Sequence, residues 1–165
     1  MTDTIFSGVA VCSLKRDSKQ TILPNSYQIV RFPFGVSEPS DNCGMHQTQQ
    51  PDGYEITQWD TDDRSGLIWP SQAGWGELHA MIQWEDGQYT ELRDQFVRDP
   101  LGYGLDPENT TATDHRPRSP GMQCFTKGHG IYVSPDVPIA LRVTHNDSRS
   151  RAVTLAEFKL VIHPA

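Results

Sequence analysis

Carboxylates are concentrated in the stretch DTDDRSG, which begins at Asp60 and could in principle hold a divalent cation. Oxygen ligands at alternate positions are typical of calcium loops of the EF-hand kind. That pattern requires Asp or Asn where Arg64 stands and Glu where Ser71 stands. We therefore expect a solvated acidic turn here and no calcium site.

Histidine and cysteine are the other common metal ligands in the chain. The six histidines never occur as His-x-His or His-x-x-x-His, the spacings that metal-dependent oxygenases and isomerases use. Cys12, Cys43 and Cys124 are isolated from one another, without a Cys-x-x-Cys pair. The sequence predicts reduced structural thiols, no metal and no cofactor.

Nucleophilic catalysis also lacks a recognisable pattern. The chain has no Gly-x-Ser-x-Gly elbow, no glycine-rich phosphate loop and no context that would activate a cysteine. Serine, histidine and aspartate are all present, but composition alone does not build a triad. We expect no catalytic residues and a protein that is not an enzyme.

Charge and hydropathy restrict the partners. The formal net charge is −7, which disfavours the phosphate backbone of nucleic acids and anionic membranes. No apolar run approaches the roughly 20 residues of a membrane span. Met1 leads into Thr2-Asp3-Thr4 without the basic and apolar regions of a secretion signal. We expect no nucleic-acid partner, no membrane partner and folding in a cytosol.

Period two dominates the chain, as it does in strands with one buried face. The clearest case follows Gly76, where the apolar residues Leu78, Ala80, Ile82 and Trp84 alternate with polar ones. Pro70, Gly74 and Gly76 punctuate the preceding corner. Similar patterns cover 5–14, 26–34, 88–98, 121–134, 139–144 and 157–162; the stretch 89–97 is also compatible with a helical period.

The sequence therefore predicts an all-β sandwich or barrel of about eight to ten strands with little helix. A chain of 165 residues is long enough for one core, so we expect a single domain over 1–165. The stretches 38–59 and 99–120 lack a strand pattern and are predicted to be long polar loops.

The order of these segments resembles the jelly-roll domain shared by tumour necrosis factor and the globular head of the first complement component. The residues Gly66, Ile68, Pro70 or Ser71, and the pair Gly74-Trp75 match the motif that opens that family's long central strand, with Trp75 where the family usually has Tyr. The closing alternation of Phe158, Leu160 and Ile162 matches its last strand. The resemblance implies an antiparallel jelly roll and a homotrimer packed around a threefold axis.

Other features resemble virion proteins of phages that infect actinobacteria. Only four of the 14 basic residues are lysines, which indicates a GC-rich genome. The chain has no collagen-like stalk and no recognisable secretion signal, and jelly rolls are common in capsids. We therefore expect a trimeric capsid decoration protein (a minor capsid protein) on the head exterior. It would be made in the bacterial cytoplasm, located in the virion, and bound to the major capsid protein or another virion protein.

Two sets of side chains are candidate contact residues. For the subunit interface we predict the faces of the strands that hold Phe125, Ile131, Tyr132, Phe158 and Leu160. The alternative function is a tail, fibre or lectin-like protein that binds a host-surface glycan. In that case Trp59 and Tyr103, aromatic residues in predicted loops, would stack on sugars.

Overall fold

Strands make up most of the molecule. The computed structural model describes residues 8–35, 40–103 and 109–165. In these ranges the chain forms ten strands and one 3-10 helix: β1 (Ala10–Arg16), β2 (Gln20–Ile22), β3 (Gln28–Ile29), β4 (Ser40–Asp41), the 3-10 helix (Asp63–Gly66), β5 (Gly74–Trp84), β6 (Glu91–Arg98), β7 (Asn109–Pro117), β8 (Gln123–Val133), β9 (Ile139–His145) and β10 (Arg151–Pro164).

The strands form two antiparallel sheets. The six-stranded sheet has the order β4-β1-β10-β5-β8, with β2 pairing to β10, and the four-stranded sheet has the order β3-β9-β6-β7. This arrangement confirms the all-β fold that period two predicted. The helix is far too short to cross a membrane, and the described ranges contain no helix that could.

Strand β5 shows how the sequence produces the six-stranded sheet. It pairs over its full length with both β10 and β8, and its residues are buried and exposed in alternation up to Ala80. Gly74 and Gly76 face the inner side, where neighbours approach closely. A Cβ atom at Gly74 would lie 2.2 Å from the His163 carbonyl oxygen, and one at Gly76 would lie 2.8 Å from the Val133 side chain. Glycine is therefore required at both positions.

An aromatic stack joins the two sheets in the core. The Phe158 ring of β10 lies 5.9 Å from the Phe96 ring of β6 and 6.2 Å from the Phe32 ring, measured between centroids. All three side chains are fully buried. Large aromatic side chains bury the most apolar area per residue, so this stack is a main source of stability between the sheets.

The prediction of a loop over 99–120 is wrong for the central part of this stretch. Asn109–Pro117 forms strand β7, which pairs with β6 at one edge of the four-stranded sheet. Most β7 side chains are exposed or half-buried, so the strand lacks the apolar alternation that identifies strands in a sequence. In the other predicted loop, over 38–59, the described residues contain only the short β4 and an isolated bridge between Gln49 and Glu55.

A buried aspartate connects two turns at one end of the sandwich. The Asp147 carboxylate accepts hydrogen bonds from the backbone N–H groups of Gln88 (2.7 Å) and Arg149 (3.1 Å) and from Nε of Arg151 (2.6 Å). Burial alone would raise the pKa of Asp147. These three donors outweigh burial and hold that pKa well below its usual range.

We expect Asp147→Asn to lower the free energy of unfolding by about 3 kcal/mol at pH 7, because it removes a buried, hydrogen-bonded charge from Arg151. This corresponds to a decrease in Tm of roughly 6–12 °C. A carboxylate with a depressed pKa stabilises the fold above its unfolded pKa of about 4 and loses this effect as the pH falls further. The Tm difference between wild type and Asp147→Asn should therefore shrink below pH ~4.

Thermal unfolding followed by circular dichroism between pH 7 and pH 2 measures both effects. Asp136→Asn is the matched control, since Asp136 is exposed, and its Tm should follow that of the wild type. A Tm difference between wild type and Asp147→Asn that stays constant down to pH 2 would contradict the role given to Asp147.

Candidate functional site: the open face of the six-stranded sheet

The outward side of the six-stranded sheet, here called the open face, is the candidate functional site. It is formed by alternate residues of β5, β8 and β10 that point away from the core. Between Trp75 and Met81 and their register partners, its members are Trp75, Glu77, His79, Met81, Thr126, Gly128, Gly130, Tyr132, Glu157, Lys159, Val161 and His163.

Aromatic residues occupy one end of the open face. Trp75 of β5 lies opposite Tyr132 of β8 and opposite His163 of β10 in the strand register. The exposed fractions of Trp75 and Tyr132 are 52% and 55%. A Cβ atom at Gly130 would lie 2.5 Å from the Trp75 indole, so the indole covers this glycine. The strand register therefore places two large aromatic side chains next to each other with half of their surface in water.

Polar groups occupy the middle of the open face. A groove of about 440 Å³ runs past His79, Gly128, Glu157 and Lys159. The absence of a side chain at Gly128 gives this groove part of its depth, because the nearest atom to a Cβ there would be Nδ1 of His79 at 3.8 Å. The open face thus combines an apolar end with a polar centre.

The five residues predicted for the subunit interface do not lie on one surface of the protein. Tyr132 lies on the open face, and Phe125 is half-buried on the inner side of β8. Ile131, Phe158 and Leu160 face the core, with exposed fractions of 4%, 0% and 0%. The prediction of these three as interface residues is wrong, because their side chains fill the space between the sheets. Trp75 was not predicted as a contact residue, because Tyr132, which lies opposite it on the open face, is remote in sequence.

Between the inner faces of β7 and β8 lies a charged cluster of Asp94, Asp114, Arg116 and Lys127. Arg116 donates from Nε to Asp94 Oδ2 at 2.7 Å, and Lys127 Nζ lies 3.2 Å from Asp94 Oδ1 and also binds Asp114. The hydrogen bond from Lys127 is the main reason why the pKa of Asp114 lies below its usual range. Two cations and two carboxylates therefore replace apolar packing at this edge of the sandwich.

The predicted glycan-contact residues lie near the 3-10 helix but in different environments. Tyr103 is 51% exposed, and its ring centroid lies 3.9 Å from the guanidinium carbon of Arg64. Tyr54, which the sequence analysis did not identify, contacts the same guanidinium at 4.1 Å. Trp59 is half-buried and stacks on Phe34 with a centroid distance of 5.1 Å.

Two carboxylates of the acidic stretch that begins at Asp60 form hydrogen bonds or ion pairs within the protein. Asp62 accepts the Arg64 backbone N–H at the start of the 3-10 helix and the Tyr54 hydroxyl, and Asp63 forms an ion pair with Arg31 at 3.0 Å. The described ranges contain no group of three or more potential metal ligands close together. His46 is buried, which lowers its pKa, and its Nε2 atom hydrogen-bonds the Ser65 carbonyl.

Comparison with solved structures identifies the fold. Neither a protein-family model nor a curated protein sequence matches the chain. The match to Eiger TNF from S. frugiperda has a TM-score of 0.58 at 10% sequence identity. It covers 93% of this chain and 92% of the Eiger chain. Murine APRIL has a TM-score of 0.59 at 8% identity, with coverages of 94% and 99%. The globular domain of zebrafish complement 1qA protein has a TM-score of 0.57 at 12% identity, with coverages of 92% and 94%. The chain therefore has the jelly-roll fold of these domains.

Proposed function

We propose that this chain is a non-enzymatic structural protein that acts as a homotrimer, with the open face as its subunit interface. The observation that carries this proposal is the exposed pair of Trp75 and Tyr132, which the strand register places opposite each other on β5 and β8. Large aromatic side chains are among the residues from which protein interfaces gain most of their binding energy. The fold shared with TNF and complement 1qA domains is compatible with such an assembly.

The chemistry of the open face fits an interface better than a ligand site. Trp75 and Tyr132 each lose apolar surface to a neighbouring subunit, at a gain of about 25 cal/mol for each Å² buried. His79, Glu157 and Lys159 supply groups that form hydrogen bonds and ion pairs between subunits and fix their relative positions. When such a surface meets a different surface of the next copy, the copies close into a ring if the rotation between them divides a full turn.

We further propose that the trimer decorates the outside of a phage head. In this proposal it is made in the cytoplasm of the bacterial host and binds the major capsid protein or another virion protein. The support is the resemblance of the sequence to virion proteins of phages that infect actinobacteria, together with the use of jelly rolls in capsids. A net charge of −7 limits adhesion to nucleic acid. Repetition of the trimer over a symmetric shell multiplies a weak contact into strong binding.

Tyr132→Asp tests the interface. We expect it to convert a trimer into a folded monomer, because three carboxylates would replace apolar contacts at the interface. Light scattering over a dilution series measures the mass, and circular dichroism checks the fold. Tyr103→Asp is the matched control, since Tyr103 is similarly exposed but lies outside the open face, and it should remain trimeric.

Two results would contradict the trimer proposal. One is a wild-type protein that stays monomeric at every concentration. The other is a Tyr132→Asp variant with the threefold mass of the wild type. Cryo-electron microscopy of particles with and without the protein tests the position on the head, where density at the shell surface should appear only when the protein is present.

A second candidate function, glycan binding by a tail, fibre or lectin-like protein, is favoured by the contact of Tyr54 and Tyr103 with Arg64. Arg64 is held by Asp52 at 2.9 Å, and the Tyr54 hydroxyl donates to Asp62 at 2.7 Å. Both rings are therefore fixed while about half of each residue is exposed. Fixed aromatic rings beside carboxylates are suited to pyranose rings, which stack on them and donate hydroxyl hydrogen bonds.

Tyr103→Ala tests this second candidate. A glycan array of the wild type identifies the bound sugar, and calorimetry with that sugar should show about a 10-fold weaker affinity for the variant, as expected for the loss of one stacking contact. Met122→Ala is the control, because Met122 is exposed at the far end of β8, and its affinity should be unchanged. A wild type that binds no sugar on the array would contradict glycan binding.

A further inference from the structure

The charged cluster contains a lysine in a setting that is unusual for this residue type. Lys127 lies on the inner face of β8, and its side chain is only 2% exposed. Its Nζ atom contacts carboxylates on two strands of the opposite sheet, Asp94 of β6 and Asp114 of β7. A lysine amine held away from water is the usual starting point for covalent chemistry at this residue.

The two carboxylates are held close together by the strand register. Asp94 and Asp114 are directly opposite each other in the β6–β7 pair. Side chains at opposite positions have Cβ atoms about 5 Å apart, and like charges there destabilise the pair. Lys127 Nζ contacts both carboxylates and offsets this repulsion, so the amine and two carboxyl groups occupy one site.

We propose that Lys127 and Asp114 condense to an intramolecular isopeptide bond, with Asp94 and Arg116 as the catalytic residues. In this reaction the Lys127 ammonium gives a proton through Asp94 to the Asp114 carboxylate, and the neutral amine attacks the Cγ atom of the resulting carboxylic acid. A C–N bond forms and one C–O bond of Asp114 breaks. Two ammonium protons leave with the departing oxygen as water. Asp94 relays these protons and ends as the carboxylate that it was at the start.

Arg116 is placed to assist both carboxyl groups. Its Nε atom lies 2.7 Å from Asp94 Oδ2, which orients the other carboxylate oxygen of Asp94 toward Lys127 Nζ at 3.2 Å. Its second guanidinium nitrogen lies 3.6 Å from Asp114 Oδ2, where negative charge develops when the amine attacks. A cation fixed beside a developing oxyanion lowers the barrier because it does not have to reorganise during the reaction.

Aromatic rings flank the two cations of the cluster. The Phe96 ring centroid lies 5.3 Å from Nζ of Lys127, and the Arg116 guanidinium lies over the Phe125 ring. The Asp94 side chain is 3% exposed, whereas that of Asp114 is 48% exposed, so the product water can leave on the Asp114 side. Strands that hold amine and carboxyl in contact supply the effective concentration that free reactants lack.

The bond would join the two sheets at the edge strands β7 and β8, where ion pairs take the place of apolar packing. A covalent link restricts the unfolded chain and so raises stability. This inference concerns the chemistry of the subunit and is independent of the trimer, so either proposal can fail without the other.

The intact mass of the purified protein tests the proposal. We expect a mass that is lower than the sequence mass by one water molecule. Trypsin cleaves after Arg98, Arg118 and Arg142 and should release residues 99–118 and 119–142 as one branched product, because the modified Lys127 is not cleaved. Lys127→Met and Asp114→Ala should each have the full sequence mass, and Asp94→Asn should lose most of the condensed form while it keeps the wild-type circular dichroism spectrum.

Lys19→Met is the control, since Lys19 is exposed between β1 and β2, away from the charged cluster and the open face, and it should leave the mass deficit unchanged. A wild-type mass equal to the sequence mass would overturn the proposal and leave the cluster as ion pairs. A mass deficit that maps to Asp52-Gly53 or Asp86-Gly87, where an aspartate can cyclise onto the next amide with loss of water, would overturn it equally.

Discussion

The fold depends on one constraint, the pairing of β5 along its whole length with two partners. Because β5 is hydrogen-bonded to β10 and β8 from Gly74 to Trp84, its register fixes which side chains of three strands face the core. The two glycines at its start permit the close approach of His163 and Val133. A shift of one residue would expose Leu78 and bury Glu77, so the alternation of β5 allows only one register. The aromatic core and the open face are the two sides of this single arrangement.

Strand β8 carries Lys127, a member of the charged cluster, on its inner side and Tyr132 on its outer side. Lys127 is fixed by Asp94 and Asp114, and the pairing of β8 with β5 continues without a bulge from Gln123 to Val133. Edge strands are the parts of a sheet that most readily distort, because one side lacks backbone partners. Ion pairs on its inner side hold this edge strand in place. The position of Tyr132 therefore depends on charges that lie on the opposite side of the strand.

Local periodicity was sufficient to predict the all-β fold, but it could not predict several of its contacts. The alternation at Phe158 and Leu160 identified β10 correctly, yet period two does not reveal whether the second sheet or another subunit covers the apolar side of a strand. Strand β7 escaped prediction because polar residues occupy both of its sides, as an edge strand over a charged cluster allows. Tyr54, Arg64 and Tyr103 meet only through the folding of long connections. Such contacts leave no periodic signal in the sequence.

The sheet order also determines when the open face can form during folding. Strand β5 lies between β8 and β10, and β1 pairs with β10 although these two strands come from the early and late parts of the chain. Pairings between distant segments are slow, since the entropy of closing a long loop is lost before the contacts form. Until β10 has left the ribosome, one side of β5 has no partner and Trp75 has no rigid support. In the trimer that we propose, association of subunits therefore follows the synthesis of β10, which protects nascent chains from premature contacts with one another.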